Sequence, residues 1–195
     1  MSKIAIFASG TGTNAARITE YFLQNNQSIH IDCFITNKAN AGVYKVAERF
    51  DVPIFQFENS DFVKGDKLVN FLKERNISWI VLAGFLRKIA PTLIQNFNNK
   101  IINIHPSLLP NYGGKGMYGK YVHQAVLKNE ESESGISIHL VNEAFDEGEI
   151  LFQKSCSIEE GETVESLAKK IQQLEHHYFP KVIEERVEAF LKEEK

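Results

Sequence analysis

Lys3-Ile4-Ala5-Ile6-Phe7-Ala8-Ser9-Gly10-Thr11-Gly12-Thr13-Asn14-Ala15 decides the fold. Residues 3–8 are a short apolar run that stops at a string of turn formers, Ser9 to Thr13. From Asn14 the spacing turns helical, with Ala15, Ile18, Tyr21 and Phe22 on one side. Strand, glycine loop and helix in that order open a parallel α/β sheet. The alternation then repeats. Ile29 to Thr36 reads as a second strand, Ala41 to Phe50 as a helix, Pro53 to Phe57 as a third strand and Phe62 to Arg75 as a helix. Ile77 to Ala83 is apolar at nearly every position, as a central strand covered on both faces requires. Lys88 to Phe97 reads as a short helix with Pro91 in its first turn, and Lys100 to Ile104 as the next strand. Residues 105–120 hold two prolines and four glycines and read as an ordered but adaptable loop. Ile136 to Val141 alternates, with Ile136, Ile138 and Leu140 on one face and Ser137, His139 and Val141 on the other. Glu149 to Ile158 follows after a short turn-like stretch, which suits antiparallel pairing. From Thr163 to about Lys192 the chain reads as helical, interrupted or kinked at Pro180. The expected architecture is α/β: a doubly wound, mostly parallel sheet with helices on both faces and an antiparallel edge. Ligands in such sheets sit beyond the carboxyl ends of the strands.

The chain has 195 residues without a linker-like or low-complexity run, which suits a single domain spanning 1–195. Its 43% apolar and 24% charged residues are ordinary for a globular protein. Twenty-two Lys and Arg against 25 Asp and Glu leave a formal charge of −3, which argues against a nucleic-acid or membrane-surface binder. Two distant cysteines, Cys33 and Cys156, make neither a zinc motif nor a disulfide framework. The first apolar run is too short for a signal peptide, and Trp79 to Leu86 falls far short of the roughly 20 residues of a membrane span. A reduced, cytoplasmic protein is expected.

Two stretches carry chemistry. Gly10-x-Gly12-x-x-Ala15 matches the dinucleotide fingerprint formally. That fingerprint also wants an acidic residue at the end of the second strand, which here ends in Thr36-Asn37-Lys38, with Asp32 near its beginning. The loop is better suited to one phosphate on the amides of Gly12, Thr13 and Asn14 at a helix N-terminus. A tight turn in which Thr13 or Asn14 caps the helix is the plainer alternative. The second stretch is Ile101-Ile102-Asn103-Ile104-His105-Pro106. With a period of two, Asn103 and His105 share a face at the carboxyl end of a strand. An amide beside an imidazole there suits polarising a carbonyl and stabilising an oxyanion.

Asn103-Ile-His105-Pro106-Ser107-Leu108-Leu109-Pro110 resembles the signature of the 10-formyltetrahydrofolate-dependent formyltransferases. Ser9 to Asn14, Leu82 to Arg87, and the pair Gln172 and Glu175 resemble the branch that acts on glycinamide ribonucleotide. The resemblance runs over essentially the whole chain and implies formyl transfer from 10-formyltetrahydrofolate, as co-substrate, to the amine of that ribonucleotide, in purine (IMP) biosynthesis. It implies a catalytic trio of Asn103, His105 and Asp146, the last in an apolar-Asp-x-Gly pattern at 145–148. Asn103 and His105 would stabilise the tetrahedral intermediate. Asp146 would keep His105 charged or oriented and accept the amine proton. No metal is implied. The ribonucleotide would sit on Gly12, Thr13, Asn14, Gln172 and Glu175. The folate would meet Leu86, Arg87, Lys88, Ile89, Asn103, Asn142, Phe145 and Asp146, with apolar contact from Val141 also. Lys64 is the nearest candidate for the basic residue that relatives place against the folate tail. A monomer or homodimer that binds neither nucleic acid nor membrane is expected.

The segment Gly113-Gly-Lys-Gly-Met-Tyr-Gly-Lys120 departs from the compact Pro-Gly turn of many relatives, and Lys115 or Lys120 could reach the substrate phosphate. Competing readings are a formyltetrahydrofolate hydrolase, a methionyl-tRNA or sugar-nucleotide formyltransferase, and a non-catalytic phosphometabolite sensor on the same fold. The hydrolase would carry an N-terminal regulatory domain, and the tRNA enzyme a C-terminal domain and a basic surface. A sensor would have no need of the whole trio.

Overall fold

The computed structural model describes residues 1–25 and 28–193. In chain order the elements are β1 (Ser2–Phe7), α1 (Thr13–Asn25), β2 (Ile29–Thr36), α2 (Val43–Phe50), β3 (Ile54–Gln56), α3 (Asn59–Lys64) and α4 (Asp66–Glu74). There follow β4 (Trp79–Leu82), α5 (Pro91–Asn96), β5 (Ile101–His105), α6 (Lys120–Lys128), β6 (Glu133–Leu140), β7 (Ile150–Ser157) and α7 (Val164–Glu193). The strands form one sheet in the order β3-β2-β1-β4-β5-β6-β7. β1 to β5 are parallel, and at the far edge β6 pairs antiparallel with both β5 and β7. The doubly wound sheet with an antiparallel edge is therefore present as expected.

Alternation along the strands feeds two cores. Ile4, Ile6, Ile102, Ile104, Ile136 and Ile138 join apolar residues of α1, α2, α6 and α7 on one face. Ala5, Phe7, Ile80, Leu82 and Ile101 join those of α3, α4 and α5 on the other. Strands covered on both faces cannot be half polar, so the middle of the sheet reads as near-continuous apolar runs. At the amino end of β2, buried Asp32 is held by Lys3 at 3.0 Å and Arg75 at 2.7 Å, which ties β1, β2 and the end of α4 together. Both cysteines are free, and burial pushes the Cys33 thiol up to about 12. Among the described residues no helix is long and apolar enough to cross a membrane.

Several sequence expectations need correction. The helix expected over Phe62 to Arg75 is two helices, broken at Gly65, whose φ of +85° lies outside the helical region. The helix expected from Lys88 begins only at Pro91, in the first turn where its missing N–H costs little. α7 is one uninterrupted helix through Pro180. Phe179, Pro180, Val182 and Ile183 are all buried there, and that packing outweighs the roughly 3 kcal/mol cost of an interior proline. β6 starts at Glu133 and ends at Leu140 rather than running from Ile136 to Val141. α6 was not foreseen at all, although Val122 and Val126, four apart and buried, carry its periodicity.

Candidate active site

The sheet order reverses between β1 and β4, because β1 leads outward to β2 and β4 leads the other way to β5. Connections leaving the two strands diverge there and leave a crevice. The Ser9 N–H donates to the Gly84 carbonyl at 3.1 Å, and the Leu86 N–H to Ser9 Oγ at 3.1 Å, so the two loops are laced at its floor. The crevice opens into a cavity of about 640 Å³ walled by residues 84–89, 103–106, 114–120, 139, 141–142 and 144–146 and by the facing side of α7.

Asn103, His105 and Asp146 meet on this wall. His105 is 4% exposed. Its Nε2 lies 2.8 Å from the Tyr112 carbonyl. A carbonyl only accepts, so Nε2 carries the proton. Nδ1 then faces Asp146 Oδ2 at 3.6 Å. Asp146, in the left-handed region at φ +56°, also accepts from the Gly114 N–H at 2.9 Å. Burial opposes charge on Asp146. The imidazoles of His139 and His105 and the Gly114 N–H outweigh it and hold the carboxyl below its usual value. Burial depresses the His105 pKa more than Asp146 and the Tyr112 carbonyl raise it, and His139 depresses it further. Burial thus favours a neutral ring and Asp146 a charged one; with Nε2 donating to the Tyr112 carbonyl, Nδ1 becomes a donor to the Asp146 carboxylate only when His105 is protonated.

Sequence reading missed His139. It lies opposite Asn103 in the β5–β6 register and is 2% exposed. Its Nδ1 donates to the Leu140 carbonyl at 2.8 Å, which leaves Nε2 to accept from Asn103 Nδ2 at 3.0 Å. That fixes which way the Asn103 amide points. The period-two pattern had already put His139 on the face opposite Ile138, but only the cross-strand register could place it beside Asn103.

The remaining candidates line the same cavity in two groups. Leu86, Arg87, Lys88, Ile89, Val141, Asn142 and Phe145 are one, with Lys88 Nζ 5.2 Å from the centre of the Phe145 ring. Asn14, Gln172 and Glu175 are the other. Asn14 Nδ2 donates to Glu175 Oε2 at 2.8 Å, and burial raises the Glu175 pKa more than that hydrogen bond lowers it. Gly12 and Thr13 stand beside the wall rather than on it, though Gln172 Nε2 reaches Thr13 Oγ1 at 3.4 Å. Gly12 is dictated by its backbone: φ is +78°, and a Cβ there would lie 2.9 Å from the Val43 Cα. Lys115 and Lys120 are exposed on the wall, and Lys64 is not on it. Asp32, bound to Lys3 and Arg75, is not placed to hold a ribose as a dinucleotide site would need.

The family model described as Formyl transferase matches residues 2–183. Phosphoribosylglycinamide formyltransferase of Bacillus subtilis (strain 168) is 35% identical over 189 residues, covering 95% of this chain and 94% of that protein. The chloroplastic enzyme of the same name from Arabidopsis thaliana is 37% identical over 194 residues. This chain spans 66% of the plant protein's length. The crystal structure of phosphoribosylglycinamide formyltransferase from Bacillus halodurans superposes with a TM-score of 0.85 at 33% identity, covering 93% of both chains. A doubly wound sheet with this cavity at its switch point, matched to that model over nearly its full length, places the chain in the formyl transferase family.

Proposed function

We propose that this formyl transferase moves the formyl group of 10-formyltetrahydrofolate onto the amine of glycinamide ribonucleotide, as a cytoplasmic enzyme of purine biosynthesis built as a single domain over residues 1–195. The observation that carries the reading is the convergence, on the wall of one cavity, of Asn103, His105 and Asp146 with residues 86–89, Asn142 and Phe145 and with Asn14, Gln172 and Glu175. The folate lies along residues 86–89 and under Asn142 and Phe145. The ribonucleotide takes its phosphate at the amides of Gly12 to Asn14, where the N-terminus of α1 favours an anion, and its ribose at Glu175.

The amine attacks the formyl carbon, a C–N bond forms and the carbonyl electrons move onto oxygen. Asn103, its amide orientation set by His139, turns its second N–H towards that oxyanion. The nitrogen must then lose a proton. Asp146, ionised at neutral pH, takes it through a water molecule, and His105 Nδ1 faces the same carboxylate. The intermediate collapses as the C=O bond re-forms and the bond to folate N10 breaks, and N10 takes up the proton that Asp146 collected. The side chains supply every step without a metal.

Purified protein given 10-formyltetrahydrofolate should formylate glycinamide ribonucleotide in preference to water, tRNA or amino-sugar acceptors. Release of formate with no formylated amine would overturn the reading in favour of a hydrolase.

A further inference from the structure

Two buried polar atoms on the cavity wall have no hydrogen-bond partner among the described residues: Asn14 Oδ1 and His123 Nδ1. Asn14 is 9% exposed and His123 5%. Buried polar groups in folded proteins are paired as a rule, so an orphan beside a cavity marks where a ligand supplies the partner. Asn14 belongs to the ribonucleotide-binding group already described. His123 has no part in the reaction scheme above.

The three imidazoles on the wall differ in what is left for a ligand. His139 has one nitrogen on the Leu140 carbonyl and the other on Asn103. His105 is held between the Tyr112 carbonyl and Asp146. His123, in the first turn of α6 directly after the wall segment 114–120, has no such engagement at Nδ1. Burial first, and then the neighbouring His105, hold its pKa below the usual value, so it is neutral at pH 7. A neutral imidazole offers one lone pair to an N–H donor. It stands on the same cavity wall as His105, whose charge acts on its ring.

We infer that His123 is a further acceptor-binding residue, which takes a hydrogen bond from the amide–amine arm of the ribonucleotide. This rests on the acceptor proposed above. The test uses calorimetry on the whole protein with two ligands, glycinamide ribonucleotide and ribose 5-phosphate, which lacks the arm. In His123→Phe the Kd for glycinamide ribonucleotide should rise about tenfold, equivalent to about 1.4 kcal/mol, while that for ribose 5-phosphate stays at the wild-type value. His123→Asn, whose Oδ1 can stand near the lost Nδ1, should recover part of the loss. Circular dichroism checks the fold of both, and if the Phe variant does not fold, the Asn variant is read by the same ligand contrast. Wild-type affinity in a folded Phe variant, or equal losses for both ligands, would overturn the inference alone. A wild-type protein that does not bind or formylate glycinamide ribonucleotide would overturn the acceptor assignment and this inference with it.

Discussion

Asn103 and His105 owe their visibility in the sequence to strand geometry. Two residues with period-two spacing at a strand's carboxyl end must share a face and an opening. What they do there depends on partners that lie far along the chain. Asn103 meets the oxyanion in the proposed scheme only because His139, 36 residues on, holds one of its amide hydrogens. Asn103→Ala is therefore expected to lower kcat by two to three orders of magnitude, about 2.7–4 kcal/mol, and His105→Ala to lower kcat by releasing the Asp146 carboxylate that its ring faces. Glycinamide ribonucleotide affinity, read by calorimetry, should stay close to wild type, because the lost contacts belong to the transition state. The double variant should lose less than the sum of the two. His139→Phe keeps the volume but frees the Asn103 amide to turn, and a smaller fall in kcat with little change in KM is expected. If His105→Ala turns over at the wild-type rate in a folded protein, the scheme is wrong.

Among the elements, the loop from β1 into α1 shows how a binding motif and a packing constraint can share one residue. Gly12 invites the reading that glycine lets a phosphate approach the backbone, yet its positive φ and its contact with the start of α2 already demand glycine. Gly12→Val is expected to cost roughly 1–3 kcal/mol of stability. It should weaken both ligands through displacement of α2, and a thermal melt beside two titrations checks this. The phosphate role of the amides is better read from the ligand side, by comparing ribose 5-phosphate with ribose. α6 and α7 teach the same lesson. Proline propensity suggested a break at Pro180, but burial of its flanking residues keeps α7 whole. α6 escaped notice because glycines dominate the approach to it, although its Val122–Val126 spacing was there to read.

For the molecule as a whole, the buried ionisable groups predict how stability follows pH. His105 and His123 both titrate below their usual value of 6.5 when folded. The unfolded chain therefore takes up protons first as pH falls through that value, and stability falls with it. Asp146 and Asp32 titrate below their usual value of 3.8, so a second loss follows at lower pH as these paired carboxylates are protonated. Glu175, raised by burial, works in the opposite direction above its own usual value. The melting temperature should drop between pH 7.5 and 5.5, and His123→Asn should show a shallower drop over that interval. Identical slopes in variant and wild type would mean that His123 is not the group responsible.

By itself the sequence determined the alternation of strands and helices, the sheet class, the glycine loop, the Asn103–His105 pair and the resemblance that picks out Asp146, because each depends on local periodicity or on a short contiguous motif. Tertiary structure decided the rest. The β5–β6 register put His139 beside Asn103, the turn after β6 brought Asp146 to His105, and folding back α7 set Glu175 against Asn14. The same packing left His123 Nδ1 buried on the cavity wall with no hydrogen-bond partner among the described residues. Local pattern fixes which way a side chain leaves its own element. Which group it meets, and so its protonation and its chemistry, depends on contacts between residues that chain spacing does not bring together.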